Sequence, residues 1–111
     1  MFRSSRVLHT AAKKEWLAVI YDKPNVDRLQ FRNQHIAKLP ENFGRTVSCG
    51  GGLLGDDGKF IGSTFHIRAN TKEDVINFLK KDIYATEGIW DFDSLVVNQL
   101  LVAAREEKKI Q

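Results

Sequence analysis

The sequence predicts an α+β domain in which four antiparallel strands form one sheet and two helices pack on one of its faces. Three observations carry this. Four apolar stretches have strand character, two stretches have helical periodicity, and the elements run in the order β-α-β-β-α-β. The 111 residues suit one domain, and 42% hydrophobic content is enough for its core.

Trp16 to Tyr21 reads as the first strand. Both alternating sets, Trp16/Ala18/Ile20 and Leu17/Val19/Tyr21, are apolar, so both faces of this strand need cover. Asp22-Lys23-Pro24-Asn25 breaks it, and Pro24 suits a helix start because no useful N–H is lost there. The spacing predicts a helix from about Asn25 to Leu39 that stops before Pro40. At about 100° per residue, Arg28, Arg32, His35 and Leu39 fall in one strip. Val26, Leu29, Ile36 and Leu39 form the adjoining apolar arc. Two cations and an imidazole thus border the buried face, either as an anion or acid–base site or as a solvated flank.

Glu41-Asn42-Phe43-Gly44 is a turn, and Arg45 to Cys49 is a second strand. Gly50-Gly51-Gly52 is expected to be strand end and loop. Its spacing matches neither a phosphate loop nor a dinucleotide fingerprint, and no helix follows. Gly55-Asp56-Asp57-Gly58 marks a hairpin-like connection. Lys59 to Ala69 is the third strand, with Ile61, Ser63, Phe65 and Ile67 on one face and Phe60, Thr64, His66 and Arg68 on the other. Asn70 or Thr71 caps a second helix, with Glu73 or Asp74 three residues on. That helix runs to about Lys81 and buries Val75, Ile76 and Leu79. Asp82 to Asp93 is irregular around Gly88. Ser94 to Ala104 is the fourth strand, again apolar on both faces, and Arg105 to Gln111 is a charged tail.

This order is the ferredoxin-like split unit. Its sheet would leave one apolar face uncovered in a monomer, which predicts a homodimer in which two sheets meet face to face. The alternative is a monomer whose tail or irregular loop covers that face.

Charge is unevenly placed. Residues 1–14 hold Arg3, Arg6, Lys13 and Lys14 and no acid, which leaves 13 bases against 14 acids over residues 15–111. The net charge of +3 therefore belongs to the leader, and a nucleic-acid surface, which needs cations clustered on one face, is not expected. The leader has the composition of a mitochondrial transit peptide, so the expected location is the mitochondrial matrix. The alternative is a basic tail without targeting value on a cytoplasmic protein. No apolar run reaches the roughly 18 residues of a spanning helix, so no membrane partner is expected. The single Cys49 allows no intrachain disulfide and suits a reducing compartment. His9, His35 and His66 lack companion ligand spacing, so neither a metal nor another cofactor is expected.

Arg32-Asn33-Gln34-His35-Ile36-Ala37-Lys38-Leu39 resembles the Arg-x-x-His-Leu-x-x-Leu helix of the YciI-like (YCII-related) family. Ser48-Cys49-Gly50-Gly51 is similar to that family's segment after the second strand, with Gly51 in place of proline. Gly62-Ser63-Thr64 matches a third-strand Gly-Ser-Thr. Lys81 to Gly88 is similar to its Asp-Pro-Tyr/Phe…Gly segment, with Ile83 in place of proline. The resemblance spans roughly residues 15–103. It implies a dimeric α+β barrel and an active site centred on His35 and Asp82. Related barrels include dehydrochlorinases and muconolactone-type isomerases. The two lost prolines relax the backbone beside the implied site.

His35 is the candidate acid–base group, because an imidazole takes and returns a proton readily near neutrality. Asp82 can orient it. Arg32 can bind a carboxylate, enolate or phenolate oxygen, and Ser63 and Tyr84 can hydrogen-bond substrate. Arg28 is a weaker version of Arg32, nearer the helix start and solvated. Each residue also has a bland reading: Asp82 as a helix cap, Arg32 as an ion-pair partner, Ser63 as a small core residue. His66 and Cys49 are expected to be structural, with Cys49 buried, and Trp16 and Trp90 to anchor core or interface. The expected activity is proton transfer on a small anionic metabolite by a lyase or isomerase. The alternative is a non-catalytic homodimer that binds a small molecule or assists a partner protein.

Overall fold

A computed structural model of the protein describes residues 13–106. The elements are β1 (Lys14–Asp22), a 3-10 turn (Arg28–Phe31), α1 (Arg32–Ala37), α2 (Leu39–Asn42), β2 (Val47–Leu54), β3 (Phe60–Ala69), α3 (Lys72–Lys80), α4 (Ile83–Thr86) and β4 (Trp90–Gln99). All three strand pairings are antiparallel, and the sheet order is β2-β3-β1-β4. This is the predicted α+β architecture.

One face of the sheet is buried. Trp16, Ala18 and Ile20 of β1, Phe65 and Ile67 of β3 and Val97 of β4 meet Val75 and Leu79 of α3, with Tyr84, Ile89 and Trp90 completing the core. The Trp16 indole N–H donates to the Ala69 carbonyl at 2.9 Å, so its one polar atom is satisfied. On the opposite face, Tyr21 and Val96 remain exposed and Leu17 and Val19 half-buried.

The first helix departs from expectation. Asn25 has φ 63°, in the left-handed region, so the helix cannot begin there. Asp27 caps instead, its side chain accepting from the Leu29 N–H, and only a 3-10 turn follows before α1. The helix also does not simply stop before Pro40. It ends at Ala37 and restarts as α2 with Pro40 in the first turn, where a missing N–H leaves no bond unmade.

The triglycine is strand rather than loop. Gly50, Gly51 and Gly52 pair with Phe65, Thr64 and Ser63. A Cβ on Gly52 would lie 2.5 Å from the Phe60 ring and one on Gly50 3.3 Å from the Phe65 ring, so glycine lets both rings lie against β2. A register shift opposite Leu53/Leu54 brings the Phe60 ring over Gly52, on the same side as Ser63 rather than the opposite one.

β4 begins at Trp90, within the segment expected to be irregular, and ends at Gln99 rather than Ala104. Its register against β1 shifts between Val19 and Tyr21. Ser94 fills that gap: its hydroxyl accepts from the Tyr21 N–H at 2.9 Å and donates to the Asp91 carbonyl at 2.6 Å. Beyond β4, Arg105 pairs with Glu15 and lies 3.3 Å from Ser48 Oγ and from His66 Nδ1. The tail thus crosses one end of the otherwise open face. Cys49 is exposed, not buried.

The expected leader lies mostly outside the described residues, but Lys14 already pairs with Ala69 as the first residue of β1. Residues 107–111 of the expected tail also lie outside. Among the described residues, no helix is long and apolar enough to cross a membrane.

Candidate active site

The cleft lies between β2, the central strands and the segment Arg28–Leu39, and its lining includes Arg28, Arg32, His35, Ser63, Phe65 and Tyr84. The lining also includes His66 and Arg68 from the other face of β3, so the space continues around the edge of β2.

His35 and Asp82 meet. His35 Nδ1 is 2.9 Å from Asp82 Oδ2, with the two side chains 13% and 22% exposed. Asp82 is the N-cap of α4, and the same oxygen accepts the Tyr84 backbone N–H at 2.9 Å. Ile83 then stands at the first helical position, where proline is favoured but not needed, so its substitution does not dislodge Asp82. Asp82 itself sits behind His35 and does not line the cleft. A neutral imidazole donating Nδ1–H to this carboxylate keeps its Nε2 lone pair free as a base. The ring stacks on Tyr84, centroids 4.2 Å apart and planes 18° apart, with Phe65 and Trp90 edge-on at 6.4 and 6.3 Å.

Arg28 is the largest surprise in the site. It is 7% exposed, not solvated. Its Nε and Nη2 donate to Asp22 Oδ2 and Oδ1, both at 2.9 Å, and Nη2 donates to Ser63 Oγ at 2.6 Å. The guanidinium carbon lies 4.5 Å from the Tyr84 ring centroid and 5.3 Å from that of Phe60. Bidentate pairing and stacking are what make a buried arginine tolerable. Asp22 was not singled out from sequence; an acid closing a buried strand, six residues before a helix-border arginine, is the only signal available.

The other candidates divide. Ser63 is buried and accepts from both Arg28 and the Trp90 indole N–H, the latter at 3.3 Å, so it positions Arg28 from the sheet. Tyr84 is buried, and burial raises its phenol pKa, aided by the Asp82 charge and opposed by Arg28. Its hydroxyl therefore stays protonated as a donor at neutral pH. Arg32 is exposed at the cleft rim, its guanidinium carbon 5.9 Å from the Phe60 centroid. His66 is half-buried on the far face, 3.6 Å from Glu15. Among the described residues, no group of three His, Cys, Asp or Glu side chains is placed to hold a metal ion.

Fold and cleft together define a small α+β protein with a His–carboxylate pair beside a buried, aromatic-flanked arginine. The chain is 31% identical over 97 residues to Fusaric acid biosynthesis protein 2 of Gibberella fujikuroi, covering 76% of this chain and 89% of that protein. The same protein of Gibberella moniliformis gives the same figures. The chain belongs to the family of these fusaric acid biosynthesis proteins. It is also 29% identical over 106 residues to an aspartate kinase of Fusarium oxysporum f. sp. lycopersici, of which it spans only 19%. No family model matches the chain. Among solved structures, it resembles the 5-chloro-2-hydroxyhydroquinone dehydrochlorinase of Burkholderia phenoliruptrix AC1100, described in complex with 2,5-dihydroxybenzoquinone. The TM-score is 0.66 at 23% identity, over 78% of this chain and 93% of the other. That likeness concerns the fold.

Proposed function

We propose that the protein is a YCII-related acid–base enzyme that moves a proton on a small anionic metabolite, in an elimination or isomerisation. The observation that carries this is the 2.9 Å contact between His35 and Asp82 at a cleft lined by cations and aromatic rings. His35 Nε2 takes a proton from a substrate carbon or hydroxyl. In an elimination the released electron pair forms a double bond and the leaving group departs as an anion; in an isomerisation the imidazolium returns the proton at another carbon. Asp82 holds the imidazole and stabilises its cation. Arg32 draws anions to the rim, Ser63 fixes the polar wall, and the Tyr84 hydroxyl donates to substrate oxygen. The dehydrochlorinase of like fold and the biosynthetic relatives support a small-metabolite substrate.

The test is a screen of chlorinated hydroquinones for halide release and of enolisable carboxylates for deuterium uptake in D2O. His35→Ala is expected to abolish the turnover found, with circular dichroism unchanged. Turnover that survives in folded His35→Ala sinks this reading.

A second reading, a binding or accessory module, is favoured by one observation: a matching segment forms a fifth of a longer aspartate kinase. It expects ligand or partner binding to survive His35→Ala and no turnover in the wild type. In either case we propose a homodimer through the sheet face that carries Leu17, Val19 and Val96. Light scattering should show twice the monomer mass, reduced to the monomer mass by Val96→Lys. We also propose that residues 1–14 direct the protein to mitochondria, which a fusion of that segment to a fluorescent protein tests.

A further inference from the structure

We infer that Arg28, rather than Arg32, binds the charge of the substrate, and that the substrate is a flat ring bearing an oxyanion, a phenolate or an aromatic carboxylate. This rests on the reading of the cleft as a substrate site, but not on the proton-transfer step.

The first argument is the donor inventory of Arg28. A guanidinium has five N–H groups. Asp22 takes one from Nε and one from Nη2, and Ser63 takes the other from Nη2. Nη1 keeps both of its N–H groups without a partner among the described residues, although the residue is 7% exposed. Among the described residues no fully buried side-chain nitrogen or oxygen lacks a partner, so Nη1 has access to the cleft that Arg28 lines. Water or an oxyanion can accept its N–H groups there, and the oxyanion makes the stronger, charge-assisted bond. Arg32, by contrast, is exposed and its charge is screened by water.

The second argument is the floor beneath Nη1. Nη1 lies 3.6 Å from the point where a Cβ on Gly52 would stand. That place is taken by the Phe60 ring, which lies against β2 beside the guanidinium and gives Nη1 an aromatic floor. Gly50 and Gly52 also let the Phe65 and Phe60 rings lie against the strand. The walls of the slot are then aromatic: Phe60, Phe65, the His35 imidazole and the rim of Tyr84, whose ring is already covered by His35 and the Arg28 guanidinium. Such walls accept a planar ring in offset or edge contact and give a puckered aliphatic ring less surface. Tyr84 is 1% exposed and lines the slot, and its hydroxyl has no hydrogen-bond partner among the described residues, so the same slot holds a second donor.

The third argument is rigidity. Asp22 at the end of β1 and Ser63 on β3 hold the guanidinium from two strands, so its aim costs the ligand no side-chain entropy.

The experiment is calorimetric binding of benzoate, benzamide and cyclohexanecarboxylate to the full chain. Benzoate is expected to bind about tenfold more tightly than benzamide, the scale of one charge-assisted hydrogen bond, and also more tightly than cyclohexanecarboxylate, which keeps the charge but lacks the flat ring. Asp22→Asn/Arg28→Gln, which removes both charges together, should lose that preference, while Arg32→Gln should keep it. Equal binding of benzoate and benzamide, equal binding of benzoate and cyclohexanecarboxylate, no binding of benzoate, or loss of the preference in Arg32→Gln overturns the inference. Should the double variant unfold, the wild type decides: benzoate must shift the guanidinium N–H resonances of Arg28 and not those of Arg32. The reverse pattern overturns the inference. A benzoate preference that depends on Arg28, together with turnover indifferent to His35, would keep the slot and discard the enzyme.

Discussion

Asp82 serves two groups with one oxygen. Oδ2 caps α4 through the Tyr84 N–H and faces His35 Nδ1. Asparagine caps as well as aspartate, but offers the ring no negative charge. Asp82→Asn is therefore expected to keep stability within about 1 kcal/mol while lowering kcat by about 100-fold or more, measured by urea titration and initial rates. The glycines give a second residue-scale prediction. A Cβ on Gly62 would stand 2.5 Å from the Ile20 carbonyl oxygen, whereas one on Gly51 meets nothing within 4 Å. Gly62→Ala should cost about 1–3 kcal/mol, because backbone cannot swing aside as a side chain can. Gly51→Ala should be neutral or stabilise by roughly 0.5 kcal/mol, through the lower entropy of its unfolded chain. At this scale His35 was legible through its helical position and family pattern. Arg28 was misread as solvated because its partners, Asp22 and Ser63, come from two different strands, and a helical wheel carries no information about either.

At the scale of elements, the strands and α3 followed local chemistry closely. Thr71 accepts from the Asp74 N–H at 3.1 Å, as the Asn-Thr start led one to expect. Thr71→Ala should lower stability by about 0.5–2 kcal/mol, read from the shift of the urea midpoint at constant slope. The boundaries that strayed share a cause: tertiary contacts overrode local preference. β2 runs through three glycines because β3 supplies the ladder and two phenyl rings occupy the space of the missing side chains. The segment from Arg28 to Asn42 is three short pieces rather than one helix, interrupted at Phe31 and at Lys38. Its continuous apolar arc concealed those breaks, since periodicity records which residues face inward and not whether the backbone ladder continues.

For the whole molecule, the sheet order followed from element order, whereas the state of the open face depends on contacts between distant parts of the chain. Glu15 is where these converge. Its carboxyl is held below the usual carboxylate range by the Arg105 hydrogen bond, which outweighs the opposing effect of burial, with further help from Ser48 and Arg68. A depressed pKa means that the folded protein holds this proton less well than the unfolded chain. The stabilisation is thus complete above the unfolded glutamate pKa of about 4.3 and fades as pH falls through the lower folded value. Stability measured from pH 6 downwards should show an acid limb that is shallower in Glu15→Gln, and Arg105→Ala should flatten it in the same direction. A tail over the open face was one of the two alternatives the sequence left, but the pairing of Arg105 with Glu15 joins residues 90 positions apart and no local pattern records it.

The double duty of Asp82 also bears on how relatives are to be compared. A lineage that abandoned the chemistry would still be under selection to keep an acid or amide at that position, because α4 needs its cap. Asp82 in a relative is therefore poor testimony of activity. His35 caps nothing, and its packing on Tyr84, Phe65 and Trp90 calls for a flat ring but not for an imidazole, so another ring can replace it once turnover no longer matters. In a comparison across species, its retention or loss would separate working copies from lapsed ones.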